Sequence, residues 1–241
     1  MIYYSVLFSL QDPKTNPYIW MFALLFKTLQ TTKTLSDTDS YYVIADKETA
    51  IEVAEYVGPS VAKLTFFYIP KPITLLEGCL WRYRLYQLTD LQNQCCIYLD
   101  VDLLAVRTFK TNIPEDMILV YPESKNPNQF NYKGSFDILS LPFGFSSTLF
   151  VYKFGPNVES FFETILTLAK TTQYTSELWD QHLFNKALET SKYGILFNEI
   201  INPNMHANHD QYYFISYAGE PGNAYVHWKK GLQFFLNYCV S

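Results

Sequence analysis

The strongest indication of the fold is the stretch C-C-I-Y-L-D-V-D-L-L-A-V-R-T-F, residues Cys95–Phe109. Its first part is a short, continuously apolar run, which is typical of a strand buried on both faces of a parallel sheet. The run ends in Asp100-Val101-Asp102, and apolar residues resume immediately afterwards. Two carboxylates within an apolar run need a neutralising partner, because a buried unpaired charge is very costly.

The spacing of the two aspartates favours a metal ion as that partner. Side chains two apart in an extended segment point to the same face, with Cα atoms about 6–7 Å apart at roughly 3.3 Å per residue. A divalent cation can bind between such carboxylates, and ligands of open α/β sheets bind beyond the carboxyl ends of the strands. We predict that Asp100 and Asp102 bind a metal. The alternative is that they end a strand and cap the next turn, because D-x-D is a common sequence.

Length and composition set the class of protein. The chain has 241 residues, of which 49% are hydrophobic, and we predict a single domain over residues 1–241. The 20 tyrosines and 19 phenylalanines suit sugar and nucleotide sites, although they suit an aromatic core equally well. A net charge of −5 argues against a nucleic-acid partner.

Cysteine usage and hydropathy predict a cytoplasmic protein, which means the host cytoplasm if the source is a virus. Cys79, Cys95, Cys96 and Cys239 show no C-x-x-C spacing, and we interpret them as free thiols in a reducing compartment. The N-terminus lacks the basic region of a signal peptide. The longest apolar run, Tyr18–Phe26, is shorter than the roughly 20 residues that cross a bilayer, so we expect no membrane span.

The order of predicted elements indicates a parallel α/β sheet, because strands and helices alternate from the first residues. The predicted strands are Ile2–Leu10, Ser40–Ala45, Lys63–Ile69, Cys96–Leu99, Met117–Tyr121 and Phe143–Tyr152. The predicted helices are Tyr18–Leu29, Thr49–Tyr56 after an N-cap at Asp46, Leu75–Leu91, Val158–Thr171 and Glu177–Glu189.

Further motifs accompany the aspartate pair along the chain. The loop F-S-L-Q-D-P-K-T-N-P-Y follows the first strand, and Arg84 lies sixteen residues before Asp100. Towards the C-terminus come F-S-S-T-L-F-V-Y (Phe145–Tyr152), W-D-Q-H-L-F-N (Trp179–Asn185) and V-H-W-K-K-G (Val226–Gly231). With Y-L-D-V-D-L-L-A-V, these motifs make the chain resemble the glycosyltransferases of the GT-A fold. The similarity is greatest to family 8, the glycogenin- and galactosyltransferase-like group, and covers about Ile2–Phe235.

This resemblance implies an α/β protein of the GT-A fold, with a Rossmann-like, mostly parallel central sheet flanked by helices. It also implies a site for a nucleotide-sugar donor. Arg84 would contact the donor diphosphate, and Asp100 would be shared between the metal and the ribose. Without the resemblance, Arg84 and the neighbouring Arg82 would be interpreted as a solvated helix face. In the first half of the chain, the resemblance implies nucleotide-binding roles for Ser9, Leu10, Gln11, Tyr18, Arg84, Asp100 and Val101.

The resemblance assigns the donor sugar to residues of the second half. Ser146 and Ser147 lie on the strand that faces the sugar in relatives, and Asp180 and Gln181 would steady the sugar during catalysis. The family's Asn and Gly on that strand are replaced here by Ser146 and Thr148, so the identity of the sugar stays open. Leu183 and Phe184 would pack in the core. By itself, Asp180 would be interpreted as a helix N-cap.

The C-terminal motif is similar to the family's H-x-x-G-x-x-K-P-W, in which the histidine completes the metal site and the lysine binds phosphate. His227 is therefore the third predicted metal ligand, and Lys230, with Lys229 as the alternative, the predicted phosphate ligand. The alternative for His227 is an ordinary core or surface histidine. His206 and His209 form an H-x-x-H pair, a weak metal signal without a third ligand. Carboxylates and one imidazole favour Mn²⁺, with Mg²⁺ as the alternative.

The function implied is metal-dependent transfer of a sugar from a nucleotide-sugar donor, a UDP-sugar, to a glycan or protein acceptor, with retention of anomeric configuration. Two alternatives remain. A haloacid-dehalogenase-like phosphatase also ends a strand in D-x-D, but it needs Thr or Val where this chain has Leu104, and its motif lies near the chain start. A catalytically inactive sugar-binding module on the same fold is the other; the complete set Asp100, Asp102 and His227 argues against it.

Overall fold

The computed structural model describes residues 1–130, 139–172, 180–196, 200–202, 211–216, 229–233 and 235–236. Seven strands belong to one mostly parallel central sheet flanked by helices, and three further strands form a small second sheet. The predicted α/β class and parallel central sheet are thereby confirmed. Among the described residues, no helix is both long enough and apolar enough to cross a membrane.

The strands have the following bounds: β1 (Ile2–Leu7), β2 (Ser40–Ala45), β3 (Leu64–Tyr68), β4 (Cys95–Leu99), β5 (Leu103–Ala105), β6 (Met117–Ser124), β7 (Gly144–Lys153), β8 (Tyr193–Ile195), β9 (Ile201–Asn202) and β10 (Phe214–Ser216). The α-helices are α1 (Pro17–Thr31), α2 (Lys47–Val57), α3 (Leu75–Cys79), α4 (Leu85–Leu88), α5 (Pro156–Thr171) and α6 (Asp180–Leu188). Short 3₁₀ helices cover Pro13–Thr15, Gly58–Lys63, Leu80–Tyr83 and Pro127–Phe130.

The chain divides into two compact units. Unit one comprises Met1, Thr74–Tyr98 and Asn112–Asn198, and unit two comprises Ile2–Ile73, Leu99–Thr111 and Glu199–Ser241. The single domain predicted for residues 1–241 stays a prediction.

In unit two, β1 pairs in parallel with β2, and β2 pairs in parallel with β3. Every residue of β1 is buried, as expected of a strand covered on both faces.

Asn16 caps α1 by accepting a hydrogen bond from the Tyr18 amide, with Pro17 at the first helical position. Asp46 caps α2 by accepting from the Thr49 amide, which confirms the predicted N-cap. Gly58 ends α2 with a φ of +62°, a conformation that favours glycine.

The small second sheet also belongs to unit two. Its order is β5-β10-β9, with β5 antiparallel to β10 and β10 parallel to β9. All three residues of β5 are buried.

In unit one, β6 pairs antiparallel with β7 and parallel with β8. The β6–β7 ladder is irregular on both sides of Pro122, as expected because proline has no backbone N–H for a ladder hydrogen bond. The core here is aromatic: Phe150 on β7 lies against Phe162 of α5 and Phe184 of α6, with ring centroids 6.2 and 5.6 Å apart.

The predicted helix Leu75–Leu91 is wrong. The segment consists instead of α3, a 3₁₀ helix and α4. Thr74 caps α3 with its hydroxyl, and the backbone of Arg84, with φ −119° and ψ 10°, departs from helical geometry just before α4 begins. The first strand also ends at Leu7 and not at Leu10.

Cys79, Cys95 and Cys96 form no disulfide with one another, as predicted, whereas Cys239 lies outside the described residues. The reducing compartment stays a prediction. Burial raises the pKa of the Cys96 thiol to about 12, so this side chain stays uncharged and packs as a small apolar group.

Candidate functional site

The two aspartates of the D-x-D motif lie in the connection between β4 and β5. Asp100 follows the last residue of β4, and Val101 and Asp102 form a turn. Val101 is 7% exposed and packs inwards, whereas Asp100 and Asp102 are both partly exposed. The extended conformation expected for the pair is therefore wrong, because the chain turns between the two carboxylates.

Buried hydrogen bonds in unit two hold this turn at both ends. The Ser5 hydroxyl donates to the carbonyl of Leu99 at 2.6 Å and lies 2.7 Å from the Tyr41 hydroxyl. Beyond the turn, the Ala105 amide donates to the Thr28 hydroxyl at 3.0 Å. The backbone on each side of the aspartates is thus fixed by residues of β1 and α1, which is how a binding loop is given a defined shape.

The donor set of the turn fits a hard divalent cation in its chemistry. Two carboxylates supply oxygen ligands, as Mn²⁺ and Mg²⁺ prefer. Within the described ranges, no group of three His, Cys, Asp or Glu side chains lies close enough together to hold a metal ion. The predicted third ligand, His227, lies outside those ranges, as do His206 and His209. The metal therefore stays a prediction.

The N-terminal loop, predicted to contact the nucleoside, is organised by Asn16. Its side-chain amide donates to the Phe8 carbonyl at 3.0 Å, and its carbonyl oxygen accepts from the Tyr18 amide at 3.0 Å. One side chain thereby joins the end of the first strand to the start of α1. Of the predicted nucleotide ligands, Ser9 is buried, whereas Leu10, Gln11 and Tyr18 are exposed.

The predicted phosphate ligand Lys230 lies on a helical segment, residues 229–233. Lys230 and its alternative Lys229 are both exposed.

In unit one, the predicted catalytic residue Asp180 lies at the start of α6 and is 5% exposed. Its Oδ2 atom is 3.5 Å from Nη1 of Arg82, which is 7% exposed. The interpretation of Arg82 as part of a solvated helix face is therefore wrong. The guanidinium supplies the positive charge that a buried carboxylate requires.

Arg82 also connects this carboxylate to the strand predicted to face the sugar. Its Nη1 donates to the carbonyl of Ser147 at 3.2 Å and lies 3.4 Å from the Ser147 hydroxyl. The Ser146 hydroxyl accepts from the Thr148 amide at 3.3 Å. Both predicted sugar-strand serines are buried. The structure thus brings together Asp180 and Ser147, two of the residues that the sequence assigned to one sugar.

Gln181 and Asn185 fix the first turns of α6. Gln181 donates to the carboxylate of Glu123 at 3.0 Å. The amide nitrogen of Asn185 donates to the carbonyls of Phe145 and Gln181 at 2.7 and 2.8 Å, while its oxygen accepts from the Phe145 amide at 2.8 Å. Asn185 therefore binds both backbone groups of one residue on β7. The predicted packing role of Leu183 and Phe184 is confirmed by their complete burial.

Arg84, the predicted diphosphate ligand, lies at the break before α4 and is partly exposed. Its guanidinium lies 5.0 Å from the centre of the Trp81 ring, a cation–π distance. Its Nε atom is buried and has no hydrogen-bond partner among the residues that the structure describes. This position gives Arg84 a partly exposed guanidinium, which carries the positive charge that its predicted anion-binding role requires.

His182, on the same helix as Asp180, is buried. Burial lowers its pKa below the ordinary value, and the negative charge of Asp180 opposes that effect only partly. The imidazole is therefore uncharged at neutral pH, and Arg82 is the cation that faces Asp180.

Sequence reasoning missed Tyr83, Ser5 and Asn185. Tyr83 donates a 2.6 Å hydrogen bond to Asp180, Ser5 anchors the residue before Asp100, and Asn185 joins α6 to β7. A signal was available only for Asn185, which follows Gln181 by one helical turn and so shares its face. Tyr83 and Ser5 are a tyrosine among aromatics and a serine in an apolar strand, and neither pattern is specific.

Comparison with known proteins gives a result only at the level of three-dimensional structure. No protein-family profile matches the chain, and no curated protein sequence matches it. A galactosyltransferase, LgtC, solved in complex with donor and acceptor sugar analogues, superimposes with a TM-score of 0.64 at 11% identity over 98% of this chain and 95% of that chain. The glycosyltransferase GlyE of Streptococcus pneumoniae gives 0.58 at 12% identity, over 99% of this chain and 62% of its own. Mouse xyloside xylosyltransferase 1 gives 0.55 at 12%, over 92% and 98%.

The chain has the GT-A fold. At 11–12% identity these similarities establish the fold and not the activity, so the predicted GT-A fold is confirmed while membership of family 8 stays a prediction. No finding favours the phosphatase alternative.

Proposed function

We propose that the protein is a glycosyltransferase that moves a sugar from a UDP-sugar donor to a hydroxyl of a glycan or protein acceptor. The observation that carries this proposal is the anchored aspartate turn directly after β4 of a GT-A sheet. Ligands of open α/β sheets bind beyond the carboxyl ends of strands, and this is where Asp100 and Asp102 lie.

The diphosphate end of the donor needs cationic partners, because negative charge develops on the leaving nucleoside diphosphate as the glycosidic bond breaks. Asp100 and Asp102 would hold a Mn²⁺ ion, with Mg²⁺ as the alternative and His227 as the further ligand. Such an ion supplies Lewis-acid stabilisation of the leaving group when bound. Arg84 and Lys230 would add positive charge at the same phosphates, with Ser9, Leu10, Gln11, Tyr18 and Val101 around the nucleoside.

The sugar end of the donor would lie against Asp180, Gln181, Ser146 and Ser147. A carboxylate and a carboxamide can each accept a hydrogen bond from a sugar hydroxyl and so fix the ring in one orientation. Retention of configuration would follow from attack by the acceptor hydroxyl on the face from which the diphosphate leaves. The new bond joins the acceptor oxygen to the anomeric carbon, and the hydroxyl proton leaves with the diphosphate.

The test is thermal unfolding with UDP, UDP-glucose and UDP-galactose, each with Mn²⁺ and with chelator, followed by an assay of UDP release. A ligand at 100 times its Kd stabilises the native state by about 2.7 kcal/mol, so a rise in melting temperature is expected with Mn²⁺ and nucleotide together. Asp102→Asn should abolish that rise. The matched control is Asp37→Asn, which changes a carboxylate that is 97% exposed and should have no effect.

Three results would contradict the proposal or part of it. A UDP-induced rise in melting temperature that is unchanged in chelator would show that nucleotide binding needs no metal. Absence of any response to nucleotide sugars, with release of inorganic phosphate from phosphomonoesters, would replace it by the phosphatase alternative. Nucleotide-sugar binding without UDP release in the presence of acceptor glycans would identify an inactive sugar-binding module.

A further inference from the structure

The Asp180 carboxylate is held by two side chains of the 3₁₀ helix Leu80–Tyr83. Tyr83 donates to Oδ2 at 2.6 Å, and Nη1 of Arg82 lies 3.5 Å from the same oxygen. Both contacts are made to Oδ2. Tyr83 and Arg82 therefore both hold the carboxylate at the same oxygen, Oδ2.

Tyr83 is a fixed donor. Its side chain is fully buried, and its ring stacks on Phe150 and Phe184 with centroids 5.8 and 6.1 Å apart. A ring packed on two sides keeps its hydroxyl oxygen in place beside Asp180. Burial, reinforced by the charge of Asp180, raises the pKa of Tyr83 well above its ordinary value, so the hydroxyl keeps its proton and donates it.

Arg82 is a fixed cation. Its Nε donates to the Cys79 carbonyl at 3.1 Å, and its Nη1 donates to the Ser147 carbonyl at 3.2 Å. The planar guanidinium is thereby held at two backbone positions and presents one edge to Asp180. These contacts leave it positioned for the carboxylate and not for a swing towards a ligand.

We propose that Tyr83 and Arg82 are positioning residues that hold Asp180 through Oδ2, so that Oδ1 accepts a hydrogen bond from a hydroxyl of the donor sugar. This inference rests on the proposed function, since it needs a sugar at Asp180. It adds that the orientation of the sugar depends on a buried tyrosine that makes no contact with substrate. A carboxylate held at one oxygen keeps a single orientation, so its other oxygen accepts a hydrogen bond from one direction only. That direction places the sugar ring for attack by the acceptor hydroxyl.

The chain contains a matched control for Tyr83. Tyr86 also donates its hydroxyl to a carboxylate, that of Glu163, and its ring also lies against Phe162. It differs in being partly exposed and in binding a carboxylate other than that of Asp180. Tyr83→Phe and Tyr86→Phe each remove one hydroxyl that binds a carboxylate, and only the first removes it from the proposed sugar site.

The experiment measures kcat and KM for sugar transfer from the nucleotide sugar that the wild type uses, together with the Kd for UDP alone. Tyr83→Phe should lower kcat by about tenfold to hundredfold, the range for one hydrogen bond to a charged group. The Kd for UDP should stay within about twofold, because UDP carries no sugar. Tyr86→Phe should match the wild type in both. Should Tyr83→Phe unfold below the assay temperature, Arg82→Lys replaces it and should give the same pattern, because a lysine loses the two-point attachment to the backbone.

Three outcomes decide the matter. Equal kcat values for Tyr83→Phe and Tyr86→Phe would overturn the inference and leave the proposed function intact. A parallel loss of kcat and of UDP affinity in Tyr83→Phe would overturn it too, because the tyrosine would then act through the fold. If the wild type transfers sugar from no UDP-sugar, the proposed function fails first and the inference with it.

Discussion

The Asn185 side chain completes the β6–β7 ladder at a point where the backbone cannot. Pro122 is the partner of Phe145 in the register, and a proline has no N–H to donate to the Phe145 carbonyl. The Asn185 amide donates to that carbonyl at 2.7 Å and accepts from the Phe145 amide at 2.8 Å. Asn185 thus substitutes for a strand residue at both the N–H and the C=O of Phe145.

Asn185→Ala should therefore destabilise the protein by about 2–5 kcal/mol. It leaves the buried N–H and C=O of Phe145 without these partners, and an unsatisfied buried polar group costs about 1–3 kcal/mol. The third hydrogen bond, to the Gln181 carbonyl, adds to the loss. Asn185 is fully buried, so water cannot take over these contacts unless the site opens.

Pro122→Ala supplies the matched background. Alanine restores an N–H at position 122, so the Phe145 carbonyl regains a donor when Asn185 is removed. Asn185→Ala should cost about 1 kcal/mol less in the Pro122→Ala background, which is the contribution of one net hydrogen bond.

The measurement is urea unfolding followed by tryptophan fluorescence, for the wild type, both single variants and the double variant. The comparison is valid if the m-value is the same throughout. A cost below about 0.5 kcal/mol for Asn185→Ala, which is the usual effect of a surface change, would refute the ladder argument. An equal cost in both backgrounds would show that Pro122 is not the reason for the asparagine.

Three further predictions concern the site. Arg84→Ala should weaken UDP binding by about 1.5–3 kcal/mol while uridine binding changes little, as calorimetry can show; equal losses would place the residue at the base or in the fold. His182→Gln should remove part of the loss of stability in acid. Burial lowers the pKa of His182 in the folded chain, so the unfolded chain binds the proton more tightly and the stabilisation present above about pH 6.5 is lost below it. The urea midpoints at pH 7.5 and 5.5 should therefore differ less in the variant than in the wild type. His227→Ala should weaken Mn²⁺-supported UDP binding in calorimetry whereas His206→Ala and His209→Ala should not, and the reverse pattern would assign the metal to the H-x-x-H pair.

Much of the fold could be predicted from local signals. The β-branched and aromatic run of β2, the Asp46 cap and the glycine after α2 all follow from chemistry confined to a few residues. The segment Leu75–Leu91 shows where such reasoning fails. Its composition is that of a helix, but tertiary contacts decide its path. Arg82 points inwards and binds Asp180 and Ser147, which lie far along the chain.

The candidate site shows the same division. The D-x-D motif was predicted because two carboxylates in an apolar run violate a general rule. The turn that presents them was not, since its shape depends on Ser5 and Thr28, whose partners are 94 and 77 residues away. Sequence patterns identify groups that do chemistry, whereas the buried hydroxyls that orient them leave no pattern of their own.

Unit one buries three ionisable side chains beside its aromatic core. Arg82, Asp180 and His182 are all buried beside an aromatic core that apolar side chains of similar volume would extend without desolvation cost. Replacing a buried ion pair by well-packed apolar residues is often neutral or stabilising, so stability does not explain the pair. The orientation that we propose for Asp180 would explain the pair, because a carboxylate of fixed orientation must be buried to be rigid, paired to remain charged, and held by hydrogen bonds. The contacts of Asp180 with Arg82 and Tyr83 meet those three conditions together.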